Sequence, residues 1–286
     1  MLSRRAFRLA VAVLVLGALP VLARRNADED YLQQAQRALM KNEAERAIRL
    51  ADKAIAANPK DARGYLIRGA AHEALRQHAE AVADFDKCLE RDPRCAEAYD
   101  HRGSEQFKRG LIKESLADFD QFLKLEPKAA PGNWKRGISL YYLGRYDDGR
   151  KQFEGYEKVD TNDVENAVWH FLCNARRVGI DKAREAMLKV GRDNRVPMME
   201  VYDLYRGKAK PADVLAAAEG GKVLADERKQ RLFYAHLYLG LYHDATGDKP
   251  KALEHMALAE GKYRVVHYMG DVAHVHADLL RKELKK

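Results

Sequence analysis

A spacing of 34 residues runs through the first half of the chain and restricts its folds more than any other feature. Pro59, Pro93 and Pro127 stand at that interval, as do Tyr31, Tyr65 and Tyr99. So do Gly69, Gly103 and Gly137, the set Phe85, Phe119 and Phe153, and Ala47, Ala81 and Ser115. Several series sharing one period mean that a single supersecondary unit is stacked repeatedly. In each unit an aromatic and a glycine four positions on share a helix face, so Gly69 or Gly103 lets a facing helix approach beneath Tyr65 or Tyr99. Ala81, Phe85 and Cys88 form an i, i+4, i+7 stripe on a second helix, repeated as Ser115, Phe119 and Phe122. Proline lacks an amide hydrogen and disfavours helix at the residue before it, so Asn58-Pro59, Asp92-Pro93 and Glu126-Pro127 end that second helix. The expected class is all-α, a superhelical solenoid of helix-turn-helix units. With 8 prolines among 286 residues, 33% charged and 47% apolar, the chain is neither disordered nor collagenous.

The spacing predicts four units over about 28–61, 62–95, 96–129 and 130–163, within a region from 24 to 163. In the fourth, Asn133 takes the place of the tyrosine, with Trp134 one step on, while Phe153 keeps the frame. Residues 164–228 read as degenerate helices: one over Val164–Arg177, a second from Asp181 to about Val190, then Met198–Tyr205 and Pro211–Glu219. Gly240 with Ala252, Met256 and Ala259 restores the repeat over about 229–262. Residues 263–286 are expected to form a capping helix and a basic tail, since a solenoid end needs a polar outer face.

The period, and the order of aromatic, small residue, Ala-x3-Phe and Pro, resemble the tetratricopeptide repeat family. More narrowly, Glu165–Leu172 and the stretch FYAHLYLGLYHDATGD from Phe233 to Asp248 resemble the NlpI-like envelope repeat proteins of bacteria. That resemblance implies a periplasm-facing, often dimeric scaffold that brings proteases or cell-wall hydrolases to their clients. The chain lacks the lipidated cysteine of those relatives.

Arg4, Arg5 and Arg8, fifteen uncharged residues from Leu9 to Ala23, and the acidic run Asp28-Glu29-Asp30 follow the plan of an export signal over residues 1–23. Fifteen helical residues rise only ~22 Å, short of a ~30 Å hydrocarbon core. Cleavage is expected after Ala23; Arg24 and Arg25 leave an uncleaved anchor open, which would be the protein's membrane contact. Ser3-Arg4-Arg5-Ala6-Phe7 also resembles a twin-arginine signal, so the export route stays open. The expected location is the periplasm or cell envelope. Cys88, Cys95 and Cys173 are too few and odd in number for a disulfide framework. Cys88 reads as a small buried apolar side chain, with a bridge to Cys95 as the alternative.

No sequence motif for catalysis is recognisable. His72-Glu73 with His78 imitates a zinc-protease helix, but histidines six apart are rotated by ~240° on a helix. Five histidines between His236 and His274, with His276 beside them, make a metal-binding or enzymatic protein the alternative reading. The leading reading is a non-enzymatic scaffold with no cofactor, holding protein partners in a concave groove. The groove wall is expected from outward positions of each first helix, ending in an aromatic patch of Phe107, Trp134, Ile138, Tyr141 and Tyr142 that is either exposed or, if the chain slips by one residue after Pro131-Gly132 or the degenerate middle folds over it, buried. Leu66, Ala70 and Asp100 stand where clamps for acidic peptide tails carry Lys and Asn, which disfavours that ligand. Tyr234, Tyr238 and Tyr242 at i, i+4, i+8 suggest either a homodimer face or packing inside the repeat. The net charge of +8 falls to +5 without the signal, and its surplus is spread over residues 128–286 rather than gathered, which disfavours nucleic acid.

Overall fold

The computed structural model describes residues 28–285, so the expected export signal lies outside the described residues. These residues form helices and no strand. They divide into two compact units, the first reaching Glu105 and the second beginning at Gln106.

In the first unit, helix α1 covers residues 28–40. It is followed by α2 (Ala44–Ala57), α3 (Ala62–Ala74), α4 (His78–Arg91) and the start of α5 (Ala96–Lys108). Helix α2 ends at Ala57 and α4 at Arg91, just ahead of Asn58-Pro59 and Asp92-Pro93, where the next amide hydrogen is missing. Asp61 caps α3 by accepting from the Arg63 amide at 2.9 Å. Gly69 lies against the ring of Phe85, where an added Cβ would come within 2.7 Å of it. The core beside α1 is alanine-rich (Ala35, Ala38, Ala47, Ala51, Ala54, Ala71), so adjacent helices approach closely. Cys88 is buried and Cys95 half-buried, and both are free thiols. They hydrogen-bond to each other, which holds the Cys95 thiol below its usual range and Cys88 above it.

The second unit continues with α6 (Ile112–Leu125), a short 3-10 turn at Pro127–Ala129, α7 (Trp134–Tyr142) and α8 (Tyr146–Tyr156). Helix α7 has 9 residues against 13 in α3 and α5, because Pro131-Gly132 removes the first turn and Asn133 becomes the cap, accepting from the Arg136 amide at 3.0 Å. The frame survives the shortening: Gly137 faces Phe153 as Gly69 faces Phe85. Helices α9 (Val164–Val178) and α10 (Ile180–Glu185) meet at Gly179, whose φ of 89° belongs to the left-handed side that glycine tolerates. Helix α10 stops at Glu185, short of the expected Val190. The backbone beyond it is held by a side chain instead: Tyr202 donates to the Leu188 carbonyl and its hydroxyl accepts from the Val190 amide. Helices α11 (Met198–Tyr205), α12 (Pro211–Glu219), α13 (Ala225–Ala245), α14 (Lys249–Glu260) and α15 (Tyr268–Leu284) complete the chain. Gly240 on α13 faces Met256 on α14, the same position with a different neighbour.

A further 34-residue series appears only in three dimensions. Arg68, Arg102 and Arg136 each reach back 16 positions, to Asp52, Asp86 and Asp120, at 2.6, 2.6 and 2.7 Å. The second helix of one repeat is thereby tied to the first helix of the next. Arg68 also makes a two-point contact with Asp84, its Nε and Nη2 donating at 2.8 and 2.6 Å.

Candidate functional site

The expected aromatic groove is present as a set of residues but not as an open surface. Phe107, Ile138 and Tyr141 are buried, and Trp134 and Tyr142 are half-buried. Helices α8 and α9 cover Tyr141 with Tyr146 and Trp169, and α15 meets Phe107, Trp134 and Tyr142. Tyr268 stacks on Phe107 and meets Trp134 edge-on, each with ring centroids 5.1 Å apart. The Tyr142 hydroxyl and His276 Nδ1 are 3.1 Å apart. Helix α15 buries Met269, Val272, Ala273, Val275, His276, Ala277 and Leu280 on one broad face and leaves His274, Lys282 and Glu283 exposed on the other. The last helix is therefore part of this unit's core. The Tyr234, Tyr238, Tyr242 stripe is likewise no free face: Tyr238 is fully buried, its hydroxyl 2.5 Å from Glu165, and its carbonyl accepts from the Tyr205 hydroxyl.

Two cavities flank the covered residues, both inside the second unit. One, of about 250 Å³, is lined by Tyr141, Tyr142, Arg176, Asp244, His276 and Glu283, among others. Its charges are mutually satisfied: Arg176 pairs with Asp244, and Lys249 with Glu283 at 2.5 Å. Burial pushes His276 down to about 4 despite Asp244 beside it, so its ring is neutral at pH 7.

The other cavity, of about 220 Å³, has aromatic walls from Trp134, Phe153, Tyr156 and Trp169, with Met269 of α15 beside them. Phe153 and Trp169 lie nearly parallel, with centroids 6.4 Å apart. Asp163, Glu165, Asn166 and Arg195 supply the polar side. Arg195 is shared among three carboxylates, reaching Glu165 at 2.5 Å, Asp193 at 2.6 Å and Asp163 at 2.8 Å. Asp163 also caps α9 by accepting from the Glu165 amide at 3.0 Å. Burial raises the Glu165 and Asp163 carboxyls above their ordinary values against the pull of Arg195. Asn166 and Trp169 are nine-tenths buried or more, and neither the Asn166 Oδ1 nor the Trp169 indole N–H has a hydrogen-bond partner. Of these residues sequence reasoning singled out Trp134 for binding. The others come from the stretch without repeats, where no spacing links Glu165 to Arg195, 30 positions on.

The histidines of α13 and α14 do come together. His236 Nδ1 and His255 Nδ1 are 2.9 Å apart, and the His243 ring lies parallel to His255 with centroids 5.4 Å apart. Burial lowers all three, His236 to about 4, so they stack as neutral rings. Among the described residues no group of three or more His, Cys, Asp or Glu side chains is placed to hold a metal ion. His72 and His78 lie on different helices; His72 Nδ1 is 2.6 Å from Gln77, and His78 Nδ1 is 2.5 Å from Glu105.

Residues 32–99 match the tetratricopeptide repeat family. No curated protein matches the chain. Among solved structures, the MamA protein is 16% identical with a TM-score of 0.52, covering 70% of this chain and 99% of its own. A MamA fragment from Desulfovibrio magneticus RS-1 is 20% identical with a TM-score of 0.51, covering 56% of this chain and 90% of its own. PilF of Pseudomonas aeruginosa is 14% identical with a TM-score of 0.50, covering 91% of this chain and 99% of its own. At these identities the likeness is one of fold. Residues 32–99 thus match tetratricopeptide repeats, and the described residues are all-helical with a fold of the α-solenoid class.

Proposed function

We propose that the protein is a non-enzymatic scaffold that holds protein partners at the bacterial cell envelope. The observation that supports it most is the repeat itself: stacked helix pairs present long side-chain-lined faces, a geometry suited to gripping polypeptide. The N-terminal sequence supports export, since residues 1–23 carry the charged, apolar and small-residue segments of a signal. Partners from the class of envelope proteases or cell-wall hydrolases follow from the family resemblance alone. Because α15 covers the aromatic face of the second unit, binding there is expected at the rim of the cavity beside Trp134 rather than along an open groove.

The test is cross-linked capture from an envelope fraction, with the wild type beside Trp134→Ala. A stoichiometric partner held by the wild type and lost in the variant is the expected result. Equal recovery by both moves the binding face away from Trp134, and the absence of any stoichiometric partner sinks the scaffold reading. Amino-terminal sequencing of the recovered protein checks export, a start at Arg24 being expected. Light scattering on the same material settles whether the scaffold is a homodimer.

A further inference from the structure

The cavity beside Trp134 combines three independent properties: its size, its aromatic walls and its charge. At about 220 Å³ it falls below the ~300–1,000 Å³ of sites that enclose a drug-sized ligand, so its natural load is one side chain or a small ion. Trp134, Phe153, Tyr156 and Trp169 line it, and aromatic rings attract cations through their quadrupoles. Asp163, Glu165 and Asp193 surround one guanidinium, that of Arg195, a formal excess of two carboxylates at this edge, with backbone amides and the Tyr238 hydroxyl as their further donors. The Asn166 Oδ1 adds a buried acceptor without a donor.

We infer that this cavity binds a cationic side chain, lysine or arginine, presented by a partner polypeptide. The inference rests on the proposed scaffold role and names what the site would take from the partner. The cation would lie against the Trp134 and Trp169 rings while its N–H groups donate to Asn166 Oδ1 and the Glu165 carboxylate. An anion is disfavoured because it would meet three carboxylates around an arginine they already engage. A neutral apolar group would fill the walls but leave the Asn166 acceptor unsatisfied, at the cost of a buried polar atom. Burial has already raised Glu165 and Asp163, and an arriving positive charge would favour their ionised forms.

The protein has 2 tryptophans, and both line this cavity, so their indole N–H resonances report on it directly. The experiment titrates the full chain with n-butylammonium, the lysine side-chain analogue, beside butyrate and butan-1-ol. The expected result is a saturable shift of both indole resonances with butylammonium alone, and an affinity lower by about tenfold in Glu165→Gln. Trp134→Leu removes one wall but keeps the carboxylates; it assigns the resonances and should weaken binding seen at Trp169. Should Glu165→Gln not fold, Trp134→Leu carries the test alone. Indole resonances that stay still, respond equally to butanol, or move with butyrate overturn the site, as does unchanged affinity in the folded variants. Partner capture is read on proteins and this titration on a small cation, so either can fail without the other.

Discussion

The two units solve the same packing problem at different ranges along the chain. In the first, side-chain contacts recur at short separations: Arg68 with Asp52 and Asp84 at 16, His78 with Glu105 at 27, Asn58 with Asp28 at 30. In the second, the contacts that hold the core span far more chain: Arg176 with Asp244 at 68, Glu165 with Tyr238 at 73, Tyr142 with His276 at 134. A repeat array resting on neighbour contacts loses stability piece by piece, whereas a core closed by its last helix should be lost together. Stacked helices can thus be held by neighbour contacts alone or by contacts that span most of a unit's chain.

The largest expected effect breaks that closure. Ending the chain after Val266 removes Met269, Val272, Val275 and Leu280 from the core, about 6–12 kcal/mol of apolar burial, comparable with the whole stability of a domain. Amide exchange should then show protection lost from α7 through α14 and kept in α2 through α4. Uniform loss across both would mean that the units are not separate in stability.

A second test compares one position in three repeats. An added Cβ at Gly69 or Gly137 would come within 2.7 or 2.6 Å of a phenylalanine ring, whereas at Gly240 it would meet the unbranched side chain of Met256, Cε at 2.8 Å and Cγ at 2.9 Å. Gly69→Ala and Gly137→Ala should each cost about 1–3 kcal/mol from overpacking. Gly240→Ala should cost less than ~1 kcal/mol, because the methionine can turn aside and alanine favours helix. Urea unfolding measures all three, and equal costs would show that the rings yield as easily as the thioether.

The units should also respond oppositely to pH. Burial opposes charge on His101, yet Glu73 and Glu97 outweigh it and raise the imidazole to about 9. Its contribution to the first unit is full below the ordinary value of 6.5 and lost as pH rises through about 9. In the second unit burial lowers His236 and His276 to about 4. The unfolded chain then takes up those protons first, so stability is full above 6.5 and lost as pH falls toward about 4. Exchange protection followed by region from about pH 5 to pH 9 should show the second unit loosening first in acid and the first unit loosening first in alkali. Regional curves that coincide would remove the contrast.

The smallest effect belongs to the ion-pair series. Asp52→Asn and Asp120→Asn should each cost only about 0–1 kcal/mol, since one partner of each pair remains solvated. Thermal unfolding of the single and double variants tests additivity, which is expected because the pairs share no residue.

Much of the fold was legible because the repeat is written in residues whose physics is local. Prolines end helices, and glycine admits a ring only where another helix brings one. Legibility failed where distant chain decides. Nothing around Phe107 or Trp134 announces that Tyr268, more than 130 positions later, will cover them. Helix α15 was readable as a helix with one broad apolar face, but not which distant residues that face would meet. The Arg68, Arg102 and Arg136 series was visible at the repeat period, yet charged residues give no sign of pairing until helices bring them together.

That series also makes the array a ruler. Each arginine is matched to the aspartate 16 positions before it, so excising residues 62–95 would bring Arg102 into the place of Arg68, again 16 positions after Asp52. Excising one residue more or fewer would turn the arginine by ~100° on its helix and leave the aspartate facing the wrong neighbour. Insertion and loss are therefore tolerated here in whole units of chain length, and the salt bridges, small in energy, act as the check on length.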